Sequence, residues 1–159
     1  MLLDKQQKQA EEALETLCIA LDQRGWSYEK DEENLQIKTD VLGDDMDMAL
    51  RIRVDPVNLL VSLYSELPFT VPESKRVEMA IALSMINYAT VDGNFDYNFG
   101  TGRVIFRLTS RFRDSIMGVE MFDYMIGVSL GTIDAYNDKI FMVGMDRYSL
   151  EELKEFIDS

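Results

Sequence analysis

Asp44, Asp45 and Asp47 place three carboxylates within one short stretch, the hard oxygen donors that a divalent cation takes. Three acidic side chains in a loop are ordinarily just solvated, and no further donor completes a set. Asp92, Asn94 and Asp96 have the alternate spacing that begins a calcium loop. Tyr97 stands where such a loop needs glycine, and Arg103 where it needs its closing glutamate, so a turn leading into a strand is the better reading. Gly100-Thr101-Gly102 lacks the third glycine of a dinucleotide loop and precedes a strand rather than a helix.

The chain contains no histidine and one cysteine. That removes the imidazole base, the Ser-His and Cys-His nucleophile pairs, and the histidine metal ligand. Cys18 alone builds neither a zinc site nor an internal disulfide. No catalytic, metal or cofactor residue is therefore expected, and the chain reads as a binding protein rather than an enzyme.

Charge narrows the partners. The formal net charge is −13, with 16 basic against 29 acidic residues. Phosphate contacts need Lys and Arg, which argues against nucleic acid, and anionic membranes are disfavoured for the same reason. An acidic surface keeps a protein in solution and steers basic partners toward it. Charges at Asp4, Lys5 and Lys8 come too early for a signal peptide, and the longest charge-free run, Tyr124 to Ile133, is too short to span a bilayer. With a lone thiol, a cytoplasmic location is expected.

The 159 residues are 47% hydrophobic, enough for one core, so residues 1–159 are read as a single domain without internal repeats. From Leu3 to Arg24, Ala10, Ala13, Leu14, Leu17, Cys18 and Leu21 recur at spacings of three and four, an amphipathic helix stopped by Gly25. Cys18 lies in that stripe as a small buried hydrophobe. Short strands follow. Leu35, Ile37, Thr39 and Val41 alternate with polar residues, as do Met48, Leu50, Ile52 and Val54. Asp55-Pro56-Val57-Asn58 has type I turn chemistry, which sets Val54 opposite Leu59, Ile52 opposite Val61 and Leu50 opposite Leu63. Leu67 to Pro72 reads as a loop, and Pro72 opens a helix reaching Ala89 that is apolar nearly all round and so should be covered on more than one side.

A hairpin comes next. Phe95, Tyr97 and Phe99 alternate with Asn94, Asp96 and Asn98, and Val104, Phe106 and Leu108 alternate with Arg103, Ile105 and Arg107. A type II′ turn at Gly100-Thr101 sets Tyr97 opposite Val104 and Phe95 opposite Phe106, with the rings inside. Gly118 to about Asn137, extending toward Val143, forms a third helix. Ser149 and Glu152 make a capping box for a short last one. The fold class is α+β: an antiparallel sheet of about five strands with helices packed on one face.

The chain resembles the YbjN family, whose fold is that of the type III secretion chaperones. Four parts carry the resemblance: the first helix before Gly25-Trp26-Ser27-Tyr28; the meander ending in Leu59-Leu60-Val61-Ser62-Leu63-Tyr64; Val71-Pro72-Glu73 leading into a helix that ends Ile86-Asn87-Tyr88; and Gly93-Asn94-Phe95-Asp96-Tyr97 followed by Gly102-Arg103-Val104-Ile105-Phe106-Arg107. They span roughly Met1 to Met145. The resemblance implies an α-β(3)-α-β(2)-α order and often a homodimer. It also implies a regulatory or chaperone-like role, in a family described as sensory transduction regulators.

Gly127 and Gly131 form G-x-x-x-G on the apolar third helix, among Met121, Met125 and Val128. Paired small residues permit close backbone approach, either onto the chain's own sheet or onto a second copy. Clustered methionines suit a surface that accepts varied apolar partners, or simply fill the core. The leading reading is a chaperone-like module that captures a segment of a partner protein and acts as a homodimer, with Met121, Met125, Gly127, Val128 and Gly131 at the seam. The alternatives are a carboxylate and divalent-metal hydrolase seated at Asp44, Asp45 and Asp47, and a regulatory subunit sensing a small molecule.

Overall fold

Three of the hairpin loops repeat one device, and it sets the registers of the sheet. The computed structural model describes residues 1–159, apart from the side chain of Leu2. In chain order the elements are α1 (Leu2–Gln23), β1 (Glu29–Asp31), β2 (Gln36–Val41), β3 (Met48–Asp55), β4 (Leu60–Thr70), a 3₁₀ turn (Glu73–Lys75), α2 (Arg76–Ala89), β5 (Asn94–Asn98), β6 (Arg103–Arg111), α3 (Val119–Gly144) and α4 (Leu150–Asp158).

The loops after β1, β3 and β5 each begin with Asp or Asn and end four residues later on a residue with positive φ: Asp31 and Leu35 (49°), Asp55 and Leu59 (48°), Asn98 and Gly102 (76°). The first side chain accepts from backbone inside its own loop. Asp31 takes the Asn34 N–H at 3.0 Å, Asp55 the Asn58 N–H at 3.1 Å, and Asn98 the Thr101 N–H at 3.1 Å. The carbonyl of the last residue then accepts an amide from beyond the hairpin. Leu35 O takes Val54 N–H and Leu59 O takes Phe112 N–H, both at 2.9 Å, and Gly102 O takes Val71 N–H at 2.8 Å. Asp-x-x-Asn-Leu thus occurs twice, a short repeat that the sequence reading passes over.

One register and one turn are corrected accordingly. Val54 pairs with Val61, Ile52 with Leu63 and Leu50 with Ser65. This is two residues away from the expected pairing, because Leu59 completes the loop instead of opening the strand. A shift of two keeps parity, so Val61 and Leu63 still face the core. In the later hairpin Tyr97 pairs with Val104 and Phe95 with Phe106, as expected. Its turn is not type II′ at Gly100: the positive φ belongs to Gly102, and pairing ends at Asn98 and Arg103. Phe99 consequently leaves the inner face and is 55% exposed.

The sheet has six antiparallel strands in the order β1-β2-β3-β4-β6-β5, one more than expected. Residues 67 to 70 continue β4 rather than forming a loop. Pro68 sits where the β4–β6 register shifts between Glu66 and Thr70, which is where a residue without an N–H fits a central strand.

One side of the sheet carries Ile37, Leu50, Ile52, Val54, Val61, Leu63, Val104 and Phe106, all buried beneath the helices. The stripe expected on α1 is buried there, each large member contributing roughly 1.5–3 kcal/mol. Gly25 closes α1, with Trp26 N–H returning to Leu21 O at 3.2 Å. Phe95 meets Phe106 edge-on at 5.3 Å and Tyr136 of α3 at 6.3 Å. The capping box opens α4 as expected, Ser149 Oγ accepting from Glu152 N–H at 3.1 Å. Among the described residues no helix is long and apolar enough to cross a membrane.

Candidate binding surfaces

Two faces of this layered fold remain uncovered: the solvent side of α2 and α3, and the side of the sheet away from the helices. α2 is not covered all round. Met79, Ala82, Leu83 and Ile86 turn inward, whereas Val77, Ile81 and Tyr88 are exposed, Tyr88 to 93%. These three recur at spacings of four and seven, one continuous apolar stripe.

α3 runs alongside. Its C-terminal end meets the start of α2, where Lys75 contacts Asp146 and Glu78. Its N-terminal end meets the loop after α2, where Tyr124 O–H donates to Asp92 at 2.5 Å. At the same end Arg24, just past α1, donates to Asp123 at 2.7 Å and lies over the Trp26 ring at 5.1 Å.

The residues expected at a seam divide between the two sides of α3. Met121 is 46% exposed, Val128 is half-buried, and Gly127 and Gly131 both face out. A methyl group on Gly131 would meet nothing within 4 Å, and one on Gly127 only the Arg24 guanidinium at 3.5 Å. The glycines therefore do not seat α3 on its own sheet. Met125 is corrected: at 3% exposure it belongs to the core with Phe122, Ile126 and Ile133, one position round the helix from the open stripe. Met48, Met79 and Met117 are also buried, so four of the ten methionines fill the core.

The outer side of the sheet carries a row that crosses all six strands: Glu29, Lys38, Arg51, Tyr64, Arg107 and Asn94 lie opposite one another in turn. Arg53 sits two residues along β3 from Arg51, and Arg103 two from Ile105 on β6. An open depression of about 730 Å³ lies over Arg53, Tyr64, Arg103, Ile105 and Arg107. A second, of about 420 Å³, lies over Lys38, Arg51 and the other side of Tyr64. Arg103 grips Glu66 with both arms of its guanidinium, at 2.5 and 2.6 Å, and that holds the Glu66 carboxyl below its ordinary range. Arg107 pairs with Asp96, and Arg51 with Asp40. Tyr64 Oη accepts from Gln36 Nε2 at 2.9 Å. Asp96 pairs with Arg107 and not with Arg103. Glu66 on β4 takes Arg103, a partner set by strand order.

The remaining candidates do not assemble. Among the described residues no group of three or more acidic or cysteine side chains is placed to share a metal ion. Asp44 instead gives its backbone N–H to Asp134 at 2.9 Å, while Asn94 donates to Asp96 at 2.6 Å. Cys18 is buried, and burial pushes its thiol up from the ordinary value.

No protein-family model matches the sequence, and no curated protein matches it. Among solved structures the fold is similar to the crystal structure of YbjN, "a putative transcription regulator from E. coli", with a TM-score of 0.56 and 17% sequence identity over 84% of this chain and 89% of that one. The chain has a YbjN-like fold, and at that identity the likeness is one of fold.

Proposed function

We propose that this chain is a non-enzymatic binding module that acts as a homodimer, two copies meeting through the open side of α2 and α3 and together presenting surfaces that capture a segment of a partner protein. One observation carries the reading. On α3 Met121 and Tyr124 are exposed, Val128 is half-buried, and the outward Gly131 has open space above it and Gly127 only the Arg24 guanidinium; on α2 Val77, Ile81 and Tyr88 are exposed. A second helix can approach such glycines to backbone distance, and that burial is the usual driving force for association. A two-fold arrangement places the same stripe on both sides of the seam. A regulatory role, the one ascribed to the E. coli protein, suits a module whose activity is contact rather than chemistry.

Sedimentation at micromolar concentration tests the dimer. The expected species has twice the 18.3 kDa mass of the chain. Gly131→Glu, which adds a charge in open space at the seam, returns the monomer without unfolding it. A wild-type protein that sediments only as an 18.3 kDa species removes the homodimer.

A further inference from the structure

The middle of the outer sheet face runs against the charge of the molecule, inside a rim that carries Glu29, Asp31, Asp40 and Asp55. The two depressions that share Tyr64 are lined by five cations (Lys38, Arg51, Arg53, Arg103, Arg107) and two carboxylates (Glu66, Asp96), a local balance of +3. The whole chain carries −13, so everything else carries −16. We infer that this face is a docking site for an extended acidic peptide segment of another protein, one with carboxylates at alternate positions.

Complementarity of charge and spacing supports that occupant. Among the described residues neither Lys38 nor Arg53 makes an ion pair within 4 Å, although Asp31 and Glu29 lie near Lys38 and Asp55 near Arg53. The Tyr64 hydroxyl accepts from Gln36, and its own proton has no acceptor among the described residues, so it can donate to an anion. Arg51 and Arg53 stand two residues apart on one face of β3, as do Arg103 and Ile105 on β6. That repeat is about 6.8 Å, the same as between alternate side chains of an extended peptide. Ile105 and the exposed Phe99 give such a segment apolar footing. A nucleic acid strand matches less well. Its charge continues past the patch, and beyond a screening length of about 8–10 Å it meets the −16 of the remaining surface. Steering by the whole molecule favours basic partners, whereas this face selects acidic ones.

The inference rests on the reading of the chain as a binding module but not on its dimer, because the sheet face and the helix face are opposite sides of the fold. The test is fluorescence anisotropy at about 50 mM salt with a labelled peptide of about ten residues alternating Glu and Ser. A Lys-Ser counterpart and a thymidylate oligomer of similar length run alongside. The acidic peptide is expected to bind, and to weaken about tenfold for Lys38→Gln/Arg53→Gln and on raising salt to about 200 mM. Lys5→Gln/Lys8→Gln, the same charge change on the exposed side of α1, leaves binding unchanged. Thermal unfolding near that of the wild type certifies each variant as folded. No binding of the acidic peptide overturns the inference. So does equal binding by Lys38→Gln/Arg53→Gln, or binding of the basic peptide or the oligonucleotide at least as tightly. Running the same titration on Gly131→Glu separates this outcome from that of the dimer.

Discussion

The side-chain amide of Asn87 pairs with both backbone groups of Phe95, its Nδ2 donating to the Phe95 carbonyl at 3.0 Å and its Oδ1 accepting the Phe95 N–H at 2.8 Å. Phe95 lies on β5, the edge of the sheet, where those two groups would otherwise face an incoming strand. One residue of α2 thus imitates a neighbouring strand and closes the edge at Phe95. The segment-capture reading therefore draws on faces of the layers rather than on this edge. Asn87→Ala leaves both groups unpaired and is expected to cost about 2 kcal/mol in urea unfolding. It should also raise concentration-dependent aggregation by light scattering. A wild-type midpoint for this variant would show that the edge needs no seal.

Leu59 holds φ at 48° while its side chain is buried. Left-handed backbone costs a branched side chain about 1–2 kcal/mol, and burial of the leucine offsets it. Truncation should therefore break the usual order. Leu59→Ala is expected to lose roughly 2–4 kcal/mol, and Leu59→Gly no more than that, because glycine relieves the strain. At Leu63, in regular strand, glycine should be worse than alanine by about 1 kcal/mol. Urea midpoints of the four variants give the comparison directly.

Gly102 and Gly131 should respond oppositely to the same methyl group. At Gly102 φ is 76° and a Cβ would overlap the Val71 carbonyl oxygen, so Gly102→Ala is expected to cost at least ~2 kcal/mol. At Gly131 nothing lies within 4 Å and the helix gains a better former, so Gly131→Ala should stabilise a monomer by about 0.5–1 kcal/mol. Calorimetry would register that as a rise in Tm of about 2–4 °C per kcal/mol.

What the sequence makes legible follows from how local the physics is. The stripe Ala10 to Leu21 and the alternation of Phe95 and Phe106 announce their faces because a single period carries the information. The β3–β4 register is harder. It depends on Leu59 adopting a conformation that leucine rarely takes, held by an amide from Phe112, more than fifty residues away. The outward direction of Gly127 and Gly131 is equally hidden, since a helix apolar on most sides does not declare which one is covered. The charge inversion on the sheet is the furthest from view. Lys38, Arg51 and Arg53 meet across the local β2–β3 pair, but Arg103 and Arg107 join them only once β4 pairs with β6, and a composition of −13 averages them away.

Asp55 links one of the repeated loops to pH. The Asn58 side chain first, and then the Asn58 backbone N–H, hold its carboxyl below the ordinary value. Asn34 does the same for Asp31, again through its side chain first. A carboxyl depressed in the folded state is protonated more readily once the chain unfolds. Its stabilisation is therefore fully present above the unfolded value and is lost as pH falls through that value and then the folded one. With ordinary carboxyls near pH ~4, urea midpoints should hold steady around neutrality and drop below about pH 4. Asp55→Asn keeps an acceptor for the Asn58 and Val57 N–H groups, at 3.1 and 2.9 Å in the native loop, but cannot titrate. Its midpoint should lie below the wild type at neutral pH and converge on it toward about pH 3. A gap between the two that stays constant across the series would mean that the loop carboxylate contributes geometry alone and no proton linkage.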